Sequence, residues 1–295
     1  MALGIEDSGL KRDVDASFHN YKTIVVGYHS VLGRASIVKG WVLASSSTGN
    51  ATLLATERTR LLIDAGLSRK DTFERLERIG ISPQSLTAIL ITHEHSDHVA
   101  GLPVLAKPRD GFQIPVYVSR LTAPAIQWGD CIPNLELFQA GSSFTIGDFD
   151  IASFTIPHDA VDPVAFSFRA EGIKISIATD LGYLPDSVRV QLRGSDALLL
   201  ESNHDLNMLK VGPYPWSVKQ RVMGRMGHLS NDAACTFVRD DLDHSTSTLI
   251  LGHLSEHNNH PELVRQAAMS ALDGRTLFTK LLIAEPGQLL EAFCY

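Results

Sequence analysis

Apolar positions in this chain fall into short runs rather than long stripes. From Trp41, "WVLASSSTGNATLLATERTRLLIDAGLS" holds two apolar runs around a Ser/Thr/Gly/Asn turn, then a third run ending at Asp64. Short runs bounded by turn residues predict three strands of a β-meander. A helix follows, with Asp71 as its cap, Phe73, Leu76 and Ile79 on one face and Gly80 as its stop. "LTAILIT" (86–92) is almost continuously apolar and predicts a buried strand; "VAGLPVLAK" begins another short helix. Further strands are predicted at 114–118, 149–156, 164–169, 173–179, 196–202 and 247–253, and helices at 120–128, 231–240 and 261–273. "TKLLIA" and "QLLEAFC", joined by "EPG", predict a closing hairpin. Early strands follow one another and later ones alternate with helices, which points to a mixed α/β class. Residues 1–20 are polar and aperiodic and read as a mobile tail, and "TIVVGY" (23–28) as a short strand. The expected division is an N-terminal extension over 1–40, partly disordered, and one domain over 41–295.

Composition changes this picture little. The chain has 295 residues, 44% hydrophobic and 20% charged, which suits a soluble globular protein with a sizeable core. No run approaches 18 apolar residues, so no membrane span is expected, and the N-terminus lacks the apolar centre of a signal peptide. Cys131, Cys235 and Cys294 form no C-x-x-C pair, and an odd count fits free thiols in a reducing cytoplasm. The net charge of -7 gives no global basic signal for nucleic acid. Metals and local patches can still set the field at a site.

The chemistry starts directly after the predicted strand at 86–92. "THEHSDH" places His93, His95, Asp97 and His98 within six positions, all of types that bind metals. His93 and His95 alternate by two and can point the same way, whereas Asp97 and His98 lie on the turn into a helix. Four residues do not complete two metal sites. Three more candidates stand at the mouths of apolar runs: His158 in "PHDA", Asp180 in "ATDLG" and His253 in "GHLS".

H-x-H-x-D-H followed by a lone His, an Asp and a final His resembles the metallo-β-lactamase superfamily over roughly residues 41 to 290. The resemblance implies a four-layer αβ/βα sandwich with a two-metal site, Zn²⁺ or Mn²⁺, at one edge of the sheets. It implies that His93, His95 and His158 hold one metal, that Asp97, His98 and His253 hold the other, and that Asp180 bridges them. Related zinc β-lactamases place Cys or no bridging ligand at the Asp180 point, whereas a carboxylate there is typical of phosphodiesterases, glyoxalase II and nucleases. Fold alone does not choose among these.

Two further stretches bear on the substrate. In "GHLSNDAA", His228 stands just before a predicted helix N-terminus, where anions are favoured. A His there can bind a phosphate oxygen or protonate a leaving alkoxide. The element resembles the His-Ser/Thr-x-x-x-Ala motif of tRNA 3′-end-processing nucleases. Residues 206–228 carry Lys210, Lys219, Arg221 and Arg225 with no acid, and Tyr214 and Trp216 lie among them. Basic groups neutralise phosphates, and aromatics stack on unpaired bases.

Together with "ESNHD", "GHLSEHNNHPELV" and "ASSSTGNATL", these stretches resemble the bacterial WalJ/YycJ type of metallo-β-lactamase-fold exonuclease. That implies metal-dependent 5′-to-3′ degradation of nucleic acid, DNA rather than RNA, with links to DNA repair. One departure is that Ala44 and Ser46 replace two glycines of the family's loop. The expected mechanism is attack by metal-bound hydroxide, with Asp97 and Asp180 orienting it or taking its proton and His228 stabilising the departing oxygen. Asn203 and His204 are expected to line the pocket or support it, Lys219, Arg221 and Arg225 to face substrate, and Glu201 to hydrogen-bond a ligand His. His257, Asn258, Asn259 and His260 read as loop and helix-cap residues. The rival readings are a small-molecule or cyclic-nucleotide phosphodiesterase, a glyoxalase II-type thioesterase, and a non-catalytic metal-stabilised scaffold.

Overall fold

A computed structural model describes residues 37–109, 113–274 and 278–295; the strand expected at 23–28 and the tail before it lie outside these. Seven strands form a first sheet in the order β14-β1-β2-β3-β4-β5-β6. They are β1 (Lys39–Ala44), β2 (Ala51–Ala55), β3 (Arg60–Ile63), β4 (Ala88–Leu90), β5 (Val116–Ser119), β6 (Leu135–Phe138) and β14 (Leu290–Cys294). The second sheet runs β13-β12-β11-β10-β9-β8-β7. Its strands are β7 (Ser143–Ile146), β8 (Phe149–Thr155), β9 (Val164–Ala170), β10 (Ile173–Ala178), β11 (Ala197–Glu201), β12 (Thr248–Gly252) and β13 (Lys280–Ile283). The helices are α1 (Arg69–Arg78), α2 (Ser96–Val99), α3 (Leu102–Leu105), α4 (Asp186–Leu192), α5 (Leu206–Val211), α6 (Trp216–Val222), α7 (Asn231–Asp240) and α8 (Pro261–Leu272).

Alternate residues of each apolar run serve different cores. Leu54, Leu61, Ile63 and Leu90 pack between the sheets against Phe166, Phe168, Ile175 and Leu199. Their neighbours Leu53, Leu62 and Ile89 face the opposite way, with Leu76 of α1 and Leu102 of α3. In the second sheet Leu198, Leu200, Leu249 and Leu251 face Val238 of α7 and Val264 of α8. Three cores between four layers explain why these strands read as continuous apolar runs: both faces are covered. Each fully buried Leu or Phe contributes about 1.5–3 kcal/mol over an exposed one.

The meander forms as expected, β1-β2-β3 antiparallel, and β3 then pairs parallel with β4. Several details differ from expectation. The α1 cap is Ser68, whose hydroxyl accepts from the Asp71 amide. The helix expected at 120–128 is only a 3₁₀ turn at Ala123–Ala125; Pro124 lacks the N–H that a longer helix needs. The closing pair is not a hairpin, because β13 joins β12 in the second sheet and β14 joins β1 in the first. Each thereby satisfies the open backbone edge of a buried strand, which pairing with one another would leave bare. Strands β6 and β7 and helices α4, α5 and α6 have no counterpart in the sequence reading.

Candidate metal centre and its rim

Strands β3, β4, β8, β10, β11 and β12 end at one edge, and there the candidate residues converge. His93 to His98 follow β4, His158 follows β8, Asp180 follows β10, Glu201 ends β11 and His253 follows β12. Asp64, Asp180 and His253 all take positive φ, at 61°, 61° and 55°. Such left-handed backbone is costly for residues other than Gly and persists where the surroundings fix it. At each of these strand ends it turns a side chain sharply into the site.

Three overlapping donor groups share this edge among the described residues, the third being Asp180, Glu201, His228 and His253. His93, His95 and His158 can each offer a ligand atom within 4.8 Å of the others, as can Asp97, His98, Asp180 and His253. Asp180 connects the groups. Its Oδ2 lies 3.0 Å from His253 Nδ1 and 3.2 Å from His98 Nε2, and its Oδ1 lies 3.9 Å from His158 Nε2. Asp97 Oδ2 is 3.4 Å from His98 Nε2 and 3.5 Å from His253 Nε2.

The donor chemistry fits metal ions. His93 Nε2, Asp180 Oδ2 and both ring nitrogens of His253 are buried without a hydrogen-bond partner. Buried polar atoms are rarely left so unless something else occupies their lone pairs. His158 Nε2 and His95 Nδ1, both suited to a cation, approach to 3.2 Å.

Surrounding groups fix the ring orientations. His158 Nδ1 donates to Gly227 O at 3.1 Å, leaving Nε2 for the centre. His98 Nδ1 donates to Asp64 Oδ2 at 2.8 Å, and Asp64 Oδ1 accepts from the Thr92 amide at 2.9 Å. Asn50 donates to Asp97 Oδ2, and Ser45 Oγ accepts from the His253 amide at 2.7 Å. The "SSSTGN" loop therefore braces two candidate ligands. Asp64 was not among the residues expected at the site, yet it ends an apolar run just as Asp180 does, and that position is its signal in the sequence.

Burial raises the cost of charge throughout, but neighbours reverse it at several groups. The Asp97 and Asp180 carboxyls are held well below the usual range by His98 and His253 despite their burial. His98 and His253 are raised well above the usual imidazole value despite theirs, chiefly by Asp180. Burial lowers His93 and His158. It also pushes His204 down to about 4.

Beside the metal-type donors, Glu201 Oε1 accepts from His228 Nδ1 at 2.8 Å. Its other oxygen accepts from the Leu181 and Leu229 amides at 3.0 and 2.9 Å. Burial opposes its charge, yet His228 first and then His253 bring the Glu201 carboxyl down to about 2. Burial likewise opposes charge on His228, and Glu201 raises it. Ser230 caps α7 through the Ala233 amide, so His228 sits just ahead of that helix as expected. Glu201 was expected on a ligand His; it bonds His228 and lies 3.3 Å from His253 Nδ1.

The other expected residues separate. Asn203 is buried, and its Nδ2 donates to His253 O, so it braces that loop. His204 is buried with Nδ1 unpartnered. Lys219, expected to face substrate, is turned inward, with Nζ donating to Lys210 O at 2.8 Å and closing the end of α5. Arg221 and Arg225 are exposed on the rim. His260 caps α8, and Asn259 bonds Asn231 and the Ser202 carbonyl. Cys131, Cys235 and Cys294 are free thiols. No helix among the described residues is long and apolar enough to cross a membrane.

Comparison with known proteins agrees with this geometry. Residues 59–254 match the Beta-lactamase superfamily domain. The chain is 38% identical over 237 residues to "Exodeoxyribonuclease YycJ" of Bacillus anthracis, covering 79% of this chain and 88% of that protein. It is 37% identical over 236 residues to "Exodeoxyribonuclease WalJ" of Streptococcus pneumoniae, covering 78% and 87%. The solved metallo-beta-lactamase fold protein YhfI from Bacillus subtilis superposes with a TM-score of 0.67 at 20% identity, covering 87% of this chain and all of that one.

Proposed function

We propose, for a chain that belongs to the β-lactamase superfamily and carries the metallo-β-lactamase fold of its hydrolases, a dinuclear-metal nuclease that degrades DNA from the 5′ end. The observation that carries the two-metal reading is Asp180, a buried carboxylate whose Oδ2 faces His98 and His253 and whose Oδ1 faces His158. The similarity to proteins named exodeoxyribonucleases over about four-fifths of the chain supports DNA as substrate. The 5′-to-3′ direction rests on the same family likeness, and free thiols suit a cytoplasmic location.

In this reading His93, His95 and His158 would hold one ion, Asp97, His98 and His253 would hold the other, and Asp180 would serve both. Zinc suits the imidazole-rich set, and manganese the carboxylates. Such a pair, when bound, supplies an acidified water and positive charge for the phosphoryl oxygens. The chain's own residues do the remainder. Asp97 is held by Asn50 and orients the nucleophilic water. Glu201 fixes the Nδ1 proton of His228, so Nε2 is left to hydrogen-bond or protonate the departing oxygen. The Asp64 contact fixes the His98 tautomer, so its Nε2 faces Asp97 and Asp180.

The test uses end-labelled single- and double-stranded DNA and RNA, incubated with Zn²⁺ or Mn²⁺ and with a chelator. The expected result is chelator-sensitive release of nucleotides from the 5′ end of DNA. Metal binding with no cleavage of any diester would instead favour a scaffold, and cleavage of RNA alone would overturn the DNA assignment.

A further inference from the structure

The rim carries a pair of residues that the metal centre does not use. The Arg225 guanidinium lies 4.1 Å over the centroid of the Tyr183 ring. Tyr183 stands three residues after Asp180, and Arg225 three before His228. Their segments are in backbone contact, because a Cβ on Gly182 would press into the main chain of Gly224 and Arg225. The Gly182 amide also donates to Pro157 O at 3.0 Å, next to His158. The pair is therefore fixed to the edge where the His158, Asp180 and His228 segments meet.

Arg221 offers a contrast within the same strip. It lies 3.6 Å from Asp159 Oδ2, and Asp159 is itself 3.5 Å from His158. Its charge is partly balanced before any ligand arrives. Arg225 faces an aromatic ring and makes no ion pair with a carboxylate among the described residues. A ring face holds a guanidinium through its quadrupole without neutralising it and leaves the in-plane N–H groups available. That fork matches two phosphate oxygens.

We propose that the Tyr183–Arg225 stack is a subsite for a non-scissile backbone phosphate of the nucleic-acid strand, with Arg225 as phosphate ligand and Tyr183 as the residue that positions it. This rests on the nuclease reading above. Stacking restricts the arginine before binding, so less rotamer entropy is lost when the strand arrives. Arg221 contributes less, since Asp159 competes for it.

The test measures anisotropy of a fluorescent, phosphorothioate-protected single-stranded oligonucleotide across a salt series, together with KM and kcat on the cleavable strand. Tyr183→Leu and Arg225→Gln are expected to raise Kd and KM about tenfold, with kcat changed less than threefold. Each should flatten the log–log salt slope by about 0.7, the value of one phosphate on a single strand. Tyr183→Phe keeps the ring and should recover most of the lost affinity. Arg221→Gln should have a smaller effect than Arg225→Gln. Arg239, exposed and paired with Asp240 on α7, is the charge control, and Arg239→Gln should leave the slope in place. Wild-type Kd and slope in Tyr183→Leu or Arg225→Gln, with DNA still cleaved, overturn the subsite alone. An equal loss on bis(p-nitrophenyl) phosphate and on the oligonucleotide also overturns it, by pointing to a structural role. A wild-type protein that hydrolyses the small diester but neither binds nor cuts oligonucleotides overturns the nuclease reading and the subsite together.

Discussion

The Asp64 carboxylate accepts a hydrogen bond from His98 Nδ1 at 2.8 Å, at the end of β3 and wholly inside the protein. Its other oxygen takes the Thr92 amide. In Asp64→Asn an amide N–H₂ meets the His98 N–H, or else the Thr92 amide loses its acceptor. The first outcome favours the His98 tautomer with a proton on Nε2, which cannot bind a metal there. The second keeps the proton on Nδ1 but replaces the carboxylate with a weaker acceptor and leaves the buried Thr92 amide unpaired. The expected result is a 10–100-fold loss of metal affinity. Elemental analysis after dialysis should show fewer ions per chain than wild type. Thermal scans with and without added Zn²⁺ should show a smaller metal-dependent rise in Tm. Unchanged stoichiometry and affinity would remove the proposed role.

Glu201→Gln separates proton handling from metal binding. The Gln oxygen can keep the Leu181 and Leu229 amides, which turns its N–H₂ toward His228. His228 then presents a lone pair at Nδ1 and loses the carboxylate that favours its cation. A loss of about 10²-fold in kcat with both ions retained is expected. Wild-type kcat in a metal-replete variant would exclude the Glu201–His228 pair from the reaction.

Gly66 tests how tightly the ligand loop is braced. Its Cα packs on Asp97 O and the Asn50 amide, and a Cβ would collide with both. Asn50 N in turn donates to Asp97 O at 2.7 Å. Gly66→Ala must push the 95–98 turn away and should cost about 1–3 kcal/mol in urea unfolding, with reduced metal content. A variant of native stability and full occupancy would show that the loop has room to move.

Asp148 provides a pH test far from the candidate metal centre. It joins the sheets at the opposite end of β3 from Asp64, accepting from Thr56 and Thr59 hydroxyls and pairing with Arg58. The Thr56 bond first, and then the Arg58 and Thr59 contacts, lower its pKa below the ordinary 3.8, although burial opposes this. A lowered folded pKa gives stability that is complete above about 3.8 and is lost as pH falls through the folded value. Wild type should therefore lose more stability between pH 5 and pH 2 than Asp148→Asn, which should already be weaker at pH 7. Parallel acid limbs in the two proteins would count against this.

Much of the architecture and most of the candidate centre were readable from the sequence because they depend on local pattern. Apolar runs of strand length marked β4, β8 to β12 and the meander, and metal-type residues just past those runs marked His93 to His98, His158, Asp180 and His253. What could not be read depends on neighbours distant in sequence. The terminal runs resemble a hairpin, yet β13 and β14 belong to different sheets because β12 and β1 each offer an open edge. Lys219 looks like its basic neighbours, and only the turn between α5 and α6 brings the Lys210 carbonyl to its ammonium. Asp64 became a brace for His98, and Tyr183 the partner of Arg225, only when sheet ends and loops came together. Sequence fixed which residue types arrive at the strand ends, since backbone period and burial are local properties. Tertiary structure decided which lone pair and which charge each of them meets, since those partners lie tens of residues away along the chain.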